Sequence, residues 1–213
     1  MPDSGSSKHP LATVYIIDDD ARLRVSLQDF FDLVGQRARA FESAFDFLEQ
    51  SDLTQPGCIL LDIRMPGMTG LELQAKLTDQ GYPLPIIFMT GNASVGTSVS
   101  AMKAGAFDYL LKPFSSESLI KATNLALDRN AEERGKSAAL QHVRDGVASL
   151  TPREAEVFGF VSKGLMNKQI AHEMGISEIM VKLHRGRVMK KLEARSVVDL
   201  VRIFDEAHQQ GSK

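Results

Sequence analysis

The sequence predicts an α/β domain built on a five-stranded parallel sheet with helices on both faces, followed by a small all-α domain of four helices. Three observations carry that prediction. Between residues 12 and 128, short apolar runs alternate five times with apolar residues at helical spacing, the pattern of strand–helix units that feed a parallel sheet. From Ser149 onward no strand pattern appears, only short helical stretches separated by glycine stops. The charge divides at the same place. Residues 12–128 carry 9 Lys+Arg against 15 Asp+Glu, a net of −6, whereas residues 148–213 carry 11 against 8, a net of +3. An acidic first part and a basic last part point to two domains with different partners, and the basic part hints at nucleic acid.

Taken in order, residues 1–11 are small and polar and read as a disordered tail, without the apolar segment of a signal peptide. Val14–Ile17 is an apolar run that closes on Asp18, Asp19 and Asp20, a buried strand with Asp20 placed to cap the helix after it. Leu23, Leu27, Phe30, Phe31 and Val34 recur at helical spacing, and Gly35 stops that helix. Residues 37–41 alternate, and Arg37 and Arg39 on the exposed face suit a sheet edge, where charge discourages strand addition. Phe45, Leu48 and Leu53 mark a second helix. Cys58–Leu61 is an unbroken apolar run, as expected of a strand buried on both faces, and it ends on one carboxylate, Asp62. Met65-Pro66-Gly67 then turns the chain. Leu71, Leu73 and Leu77 give a third helix closed by Gly81, and residues 85–89 a strand ending on Thr90. Val95, Val99 and Met102 mark a fourth helix, weakened by Gly96, Thr97, Ser98 and Ser100. Phe107–Leu111 is the last strand, ending on Lys112-Pro113, and Leu119, Leu125 and Leu127 lie in the helix that follows.

Residues 129–147 are charged and lack an apolar stripe, which reads as a solvated helical linker. In residues 148–210, Thr151, Pro152 and Glu154 form a helix start with an N-cap, a proline at the first position and a capping box. Val157, Phe160 and Val161 supply its apolar face, and Gly164 ends it. Ile170, Ala171 and Met174 make a short helix stopped by Gly175. Ser177 caps a third, running to about Leu192, and Val197, Val198, Leu200 and Val201 lie in a fourth. A short helix and a tight turn at residues 174–177 suggest a helix-turn-helix unit.

Composition excludes several classes. The single cysteine rules out an internal disulfide and a cysteine-rich zinc site, and favours a reducing compartment. No 18-residue apolar stretch exists, so no membrane span is expected and the cytoplasm is the expected location.

In open α/β sheets the reactive crevice lies beyond the carboxyl ends of the strands. Those ends bring Asp18, Asp19, Asp62, Thr90 and Lys112 together. Three carboxylates repel one another and suit Mg²⁺, while a hydroxyl and an ammonium beside them suit a phosphoryl group. The motifs Asp18-Asp19, Asp62-x-x-Met65-Pro66-Gly67, Thr90-Gly91 and Lys112-Pro113-Phe114 resemble the receiver domain of bacterial two-component response regulators over roughly residues 12–128. The resemblance implies the flavodoxin-like strand order 2-1-3-4-5, with Asp62 the phosphoacceptor that attacks the phosphohistidine of a sensor histidine kinase. It further implies that Asp19, Asp62 and the backbone carbonyl of Arg64 hold Mg²⁺, with Asp18 acting mostly through water. Lys112 would pair with the phosphoryl oxygens, Thr90 would swing toward them with Tyr109 following inward, and the Lys112–Pro113 bond would be cis.

Residues 178–191 contain five Lys/Arg and one acid, Glu178. At ~100° per residue, Val181, Val188 and Leu192 fall on one side with His184 beside them, and Ile179, Lys182, Leu183, Gly186 and Lys190 on the other, flanked by Arg187. A basic face carrying an apolar side chain suits the major groove, where lysine meets guanine edges or phosphates and an apolar group meets a thymine methyl. A merely solvated charged face is the plain alternative, and the preceding helix and turn weigh against it. Residues 149–204 resemble the LuxR/FixJ-type helix-turn-helix through Leu150-Thr151-Pro152-Arg153-Glu154, Gly164-x-x-Asn167-Lys168-x-Ile170-Ala171, Gly175-Ile176-Ser177 and Val181-Lys182-x-His184. That resemblance implies a phosphate contact from Lys168 and DNA contacts from Lys182, Leu183, Gly186, Arg187 and Lys190. It departs at Met180, where the family usually has Thr or Ser.

Both resemblances together imply a phosphorylation-activated transcription factor, not an enzyme, that dimerises on double-stranded DNA and works with RNA polymerase. An aspartate-nucleophile phosphatase would need a second carboxylate two residues after Asp62, where Arg64 stands. A phosphorylation-independent DNA-binding regulator with a vestigial receiver is the other reading, and the intact Asp62, Thr90 and Lys112 speak against it.

Overall fold

The computed structural model describes residues 8–91 and 105–208. The chain divides into two compact units, residues 1–134 and 135–213.

In the first unit, strands β1 (Thr13–Ile17), β2 (Ala38–Phe41), β3 (Gly57–Asp62), β4 (Ile86–Thr90) and β5 (Asp108–Leu111) form one sheet in the order β2-β1-β3-β4-β5, every pair parallel. This is the flavodoxin-like order. The helices are α1 (Ala21–Leu33), α2 (Ala44–Gln50), α3 (Gly70–Asp79) and the beginning of α4 (Ser116–Ala148). Alternate residues of a strand face opposite sides, so a sheet covered on both faces needs uninterrupted apolar runs. Ile59, Leu61, Phe88 and Ile17 pack on one side with Phe47 of α2 and Leu73 of α3. Cys58, Leu60, Ile87 and Ile16 pack on the other with Phe31 of α1 and Leu127 of α4. β2 lies at the edge, where Arg39 points outward and its guanidinium lies 5.2 Å from the ring of Phe41.

Several expectations are corrected. α2 buries Ala44 and Phe47, whereas Phe45 is 57% exposed and Leu53 is buried beyond the helix end. A seven-residue helix has so few apolar positions that spacing alone does not fix which stripe faces inward. In α4 the buried stripe is Leu119, Ala122, Thr123, Ala126, Leu127 and Asn130, and Leu125 is exposed. The stripe thus continues, through a polar residue, into the segment expected to be solvated linker. Asn130 accepts a hydrogen bond from the Gly57 N–H at 3.1 Å and donates one to the Pro83 carbonyl at 2.9 Å. Lys8–Leu11, expected to be disordered, is tied down: Lys8 and His9 both contact Asp128, and the Ala12 N–H donates to His9. The helix expected around Val95, Val99 and Met102 lies outside the described residues.

In the second unit, α5 (Pro152–Ser162), α6 (Asn167–Met174), α7 (Glu178–Lys191) and α8 (Val197–His208) surround a core of Val157, Phe158, Val161, Ile170, Val181, Val188, Leu192 and Leu200. Val147 of α4 packs against it. Thr151 and Glu154 form the expected capping box, with Pro152 in the first turn. Gly175 adopts φ 63°, the left-handed conformation that ends α6 without a Cβ clash, and Ser177 caps α7 two residues later. The expected helix-turn-helix is present in that pair.

Candidate functional site

Strand register assembles the first site. Ile17 pairs with Leu61, so Asp18 and Asp62 emerge side by side. Asp62 pairs with Met89 and Thr90 with Leu111, which brings Thr90 and Lys112 to the same rim. The Lys112 ammonium lies 2.5 Å from Asp18 and 2.6 Å from Asp62. The second Asp62 oxygen accepts the Arg64 N–H at 2.6 Å, and Asp18 accepts the Asp20 N–H at 2.9 Å. Arg24 donates to the Asp18 carbonyl. Asp20 caps α1 through the N–H groups of Arg22 and Leu23, as expected. Thr90 is buried, and its carbonyl accepts the Lys112 N–H. The Lys112–Pro113 peptide is cis.

Asp18 is 1% exposed, and that burial pushes its carboxyl above the ordinary range, against the opposing pull of Lys112. Burial alone would lower Lys112, but its hydrogen bonds to Asp18 and Asp62 outweigh the desolvation and raise it. The lysine therefore stays charged at neutral pH. Two carboxylates against one ammonium leave an excess of one negative charge, and exposed Asp19 adds another. Hard oxygen donors with uncompensated charge fit a divalent cation such as Mg²⁺. Lys112 bridges the two buried carboxylates here, and among the described residues no three His, Cys, Asp or Glu side chains stand together as a metal-binding group. Tyr109, on the neighbouring strand, is half-buried, and its buried hydroxyl has no hydrogen-bond partner among the described residues.

The second site is the outward face of α7. Val181, Val188 and Leu192 are buried, while Lys182, Leu183, Gly186, Arg187 and Lys190 are exposed. Lys168, on α6, is also exposed. The five basic residues of α7 divide by role. Arg185 donates to Asn167 at 3.0 Å, which ties α7 to the start of α6. Lys191 donates to Glu154 at 2.7 Å and to the Ser149 carbonyl at 2.8 Å, which ties its other end to α5. Lys191 holds the Glu154 carboxyl down at about 2, with help from the Thr151 N–H. Lys182, Arg187 and Lys190 remain outward and make no ion pair among the described residues. Sequence reasoning missed both ties, since composition does not separate a lysine that binds a neighbouring helix from one that faces solvent. It also missed Gly70, the first residue of α3. A Cβ there would lie 2.3 Å from the Asp62 carbonyl oxygen.

Residues 14–124 match the family model of the response regulator receiver domain, and residues 148–204 that of bacterial regulatory proteins of the luxR family. Nodulation protein W of Bradyrhizobium diazoefficiens is 41% identical over 194 residues, covering 91% of this chain and 86% of that protein. Transcriptional regulatory protein FixJ of the same organism is 41% identical over 191 residues, 89% and 93% of the two chains. The solved structure of the response regulator StyR superimposes with a TM-score of 0.85 at 41% identity, covering 92% of this chain and 98% of that one. No helix among the described residues is long and apolar enough to cross a membrane.

Proposed function

The chain belongs to the two-component response regulators, a transcription factor with a receiver domain and a LuxR-type DNA-binding domain rather than an enzyme, and we propose that Asp62 is its phosphoacceptor. The observation that carries this reading is the double hold on the Asp62 carboxylate, one oxygen on Lys112 and the other on the Arg64 N–H, at the sheet rim. A carboxylate held at two points presents a fixed nucleophile. An Asp62 oxygen attacks the phosphorus of a phosphohistidine on a sensor histidine kinase. The phosphorus–nitrogen bond breaks, and the histidine nitrogen leaves with its electron pair. Lys112 exchanges its contact with Asp62 for the phosphoryl oxygens, and Thr90 turns its hydroxyl toward them while Tyr109 follows inward.

Receiver domains of this family use Mg²⁺, which neutralises charge on the transferring group. Asp19, Asp62 and the Arg64 carbonyl would hold it, with Asp18 acting through water. Phosphorylation then promotes a homodimer whose α7 helices enter the major groove of double-stranded DNA. Lys168 contacts phosphate there, and Lys182, Leu183, Gly186, Arg187 and Lys190 face the groove. RNA polymerase in the cytoplasm is the downstream partner.

The test gives a small-molecule phosphoryl donor and Mg²⁺ to wild type and Asp62→Asn, then measures phosphoryl incorporation, size and DNA binding. Wild type is expected to take up one phosphoryl group, dimerise and bind DNA more tightly, and Asp62→Asn to do none of these. Incorporation without any change in size or DNA binding would favour the vestigial-receiver reading instead.

A further inference from the structure

The first turn of α7 has a surface that its charge does not account for. Ser177 caps the helix, and Glu178, Ile179 and Met180 follow. Ile179 is 77% exposed and Leu183 45% exposed. Four residues apart, they lie one above the other on a single stripe. Lys182 and Lys190 flank or extend that stripe, and buried Val181 and Val188 lie on the opposite side. The core of the unit therefore uses neither Ile179 nor Leu183.

This turn contains an acid and no cation, so it has nothing with which to neutralise a phosphate. Met180 brings no hydroxyl. The outward cations of the helix, Lys182, Arg187 and Lys190, begin one turn later. They suit a polyanion on the same face, and a polyanion that also offers apolar groups to an apolar stripe is duplex DNA read in the major groove. There the C5-methyl of thymine is the apolar feature of a base edge.

We propose that Ile179 and Leu183 form a two-residue apolar contact that reads thymine methyls in each half-site, which makes Ile179 a specificity-determining residue. The inference rests on the DNA-binding reading above and adds to it Ile179, which is not among the contacts given there, as a second apolar reader beside Leu183.

The full chain, treated with a small-molecule phosphoryl donor, is first used to select its preferred duplex from a randomised pool. Binding is then measured to that duplex and to versions in which single thymines are replaced by deoxyuridine, which removes the methyl and keeps the pairing. Wild type is expected to lose about fourfold per contacted methyl, the equivalent of one buried CH₂. Ile179→Ala is expected to bind the thymine duplex more weakly and to ignore deoxyuridine at the position it covers. Leu183→Ala is expected to ignore it at a neighbouring position. Ile179 is exposed, so its truncation spares the fold, which circular dichroism checks.

The proposal is overturned if no deoxyuridine substitution weakens wild type, or if Ile179→Ala stays as sensitive as wild type. In either case, a loss of binding in Lys182→Ala leaves the DNA-binding reading standing. Altered self-association of Ile179→Ala with unchanged deoxyuridine sensitivity would assign the stripe to a contact between copies and also overturn the proposal. If the pool yields no preferred duplex, the DNA-binding reading fails and takes this one with it.

Discussion

Asn130 shows how much one side chain holds in place. Its amide satisfies a buried N–H at the start of β3 and a carbonyl just before β4. Asn130→Leu keeps the branching of the side chain and removes both bonds. Each abandoned buried group costs about 1–3 kcal/mol, so the first unit is expected to lose about 2–6 kcal/mol in urea unfolding. A change below half a kcal/mol would show that water replaces the amide. Glu154 supports a second residue-scale prediction. Held near 2 against an ordinary 4.5, its ionised form favours the folded state above pH 4.5. That stabilisation declines as pH falls from about 4.5 to about 2 and is absent below. The Cδ resonance of Glu154 is expected to titrate near the lower value in wild type and higher in Lys191→Met, where Thr151 alone continues to hold it down. Of these two residues only Glu154 was legible in the sequence, because its capping partner stands three residues away. The partners of Asn130 lie 73 and 47 residues away and are backbone groups, which leave no mark in a sequence.

Elements were legible where burial is two-sided and illegible where they are short or where the stripe turns polar. β1, β3 and β4 are buried throughout because the sheet is covered on both faces, and β1 ends just before Asp18 while β3 and β4 end on Asp62 and Thr90, as their sequences predict. The phase of α2 and the continuation of α4 through Asn130 depend on neighbours that periodicity does not name. The junction of β3 and α3 is closer than either element suggests. Gly70 lies against the Asp62 carbonyl, with Leu61 and Phe88 both 3.1 Å from where a Cβ would stand. Gly70→Ala must therefore move the start of α3 away from the end of β3 at Asp62. The expected cost is about 1–3 kcal/mol, the usual range for overpacking, together with slower phosphoryl uptake. Thermal unfolding and the phosphorylation time course measure the two effects. An unchanged time course would mean that the helix moves without disturbing Asp62.

At the scale of the molecule, the division of charge between residues 12–128 and 148–213 corresponds to a division of labour. The acidic part ends its strands at Asp18 and Asp62 with Lys112 between them, and the basic part exposes Lys182, Arg187 and Lys190 on α7. Lys182→Ala is expected to cost about 1–3 kcal/mol at the preferred duplex if Lys182 contacts a base. A loss of equal size on all duplexes, with a shallower dependence on salt, would make it a phosphate contact instead. Binding titrations at several salt concentrations separate the two.

Cys58 gives the chain a built-in reporter. The sole cysteine lies in the middle of the sheet with no exposure, and burial pushes its thiol up to about 12. Alkylating reagents react with thiolate, so labelling has to wait until β3 leaves its neighbours. The labelling rate of the unmodified chain thus measures how often the first unit opens, and is expected to be slower than that of the unfolded chain by roughly a thousandfold or more. Any ligand or phosphoryl group that stabilises the closed sheet will lengthen that wait, and its stabilising free energy follows from the ratio of the two rates.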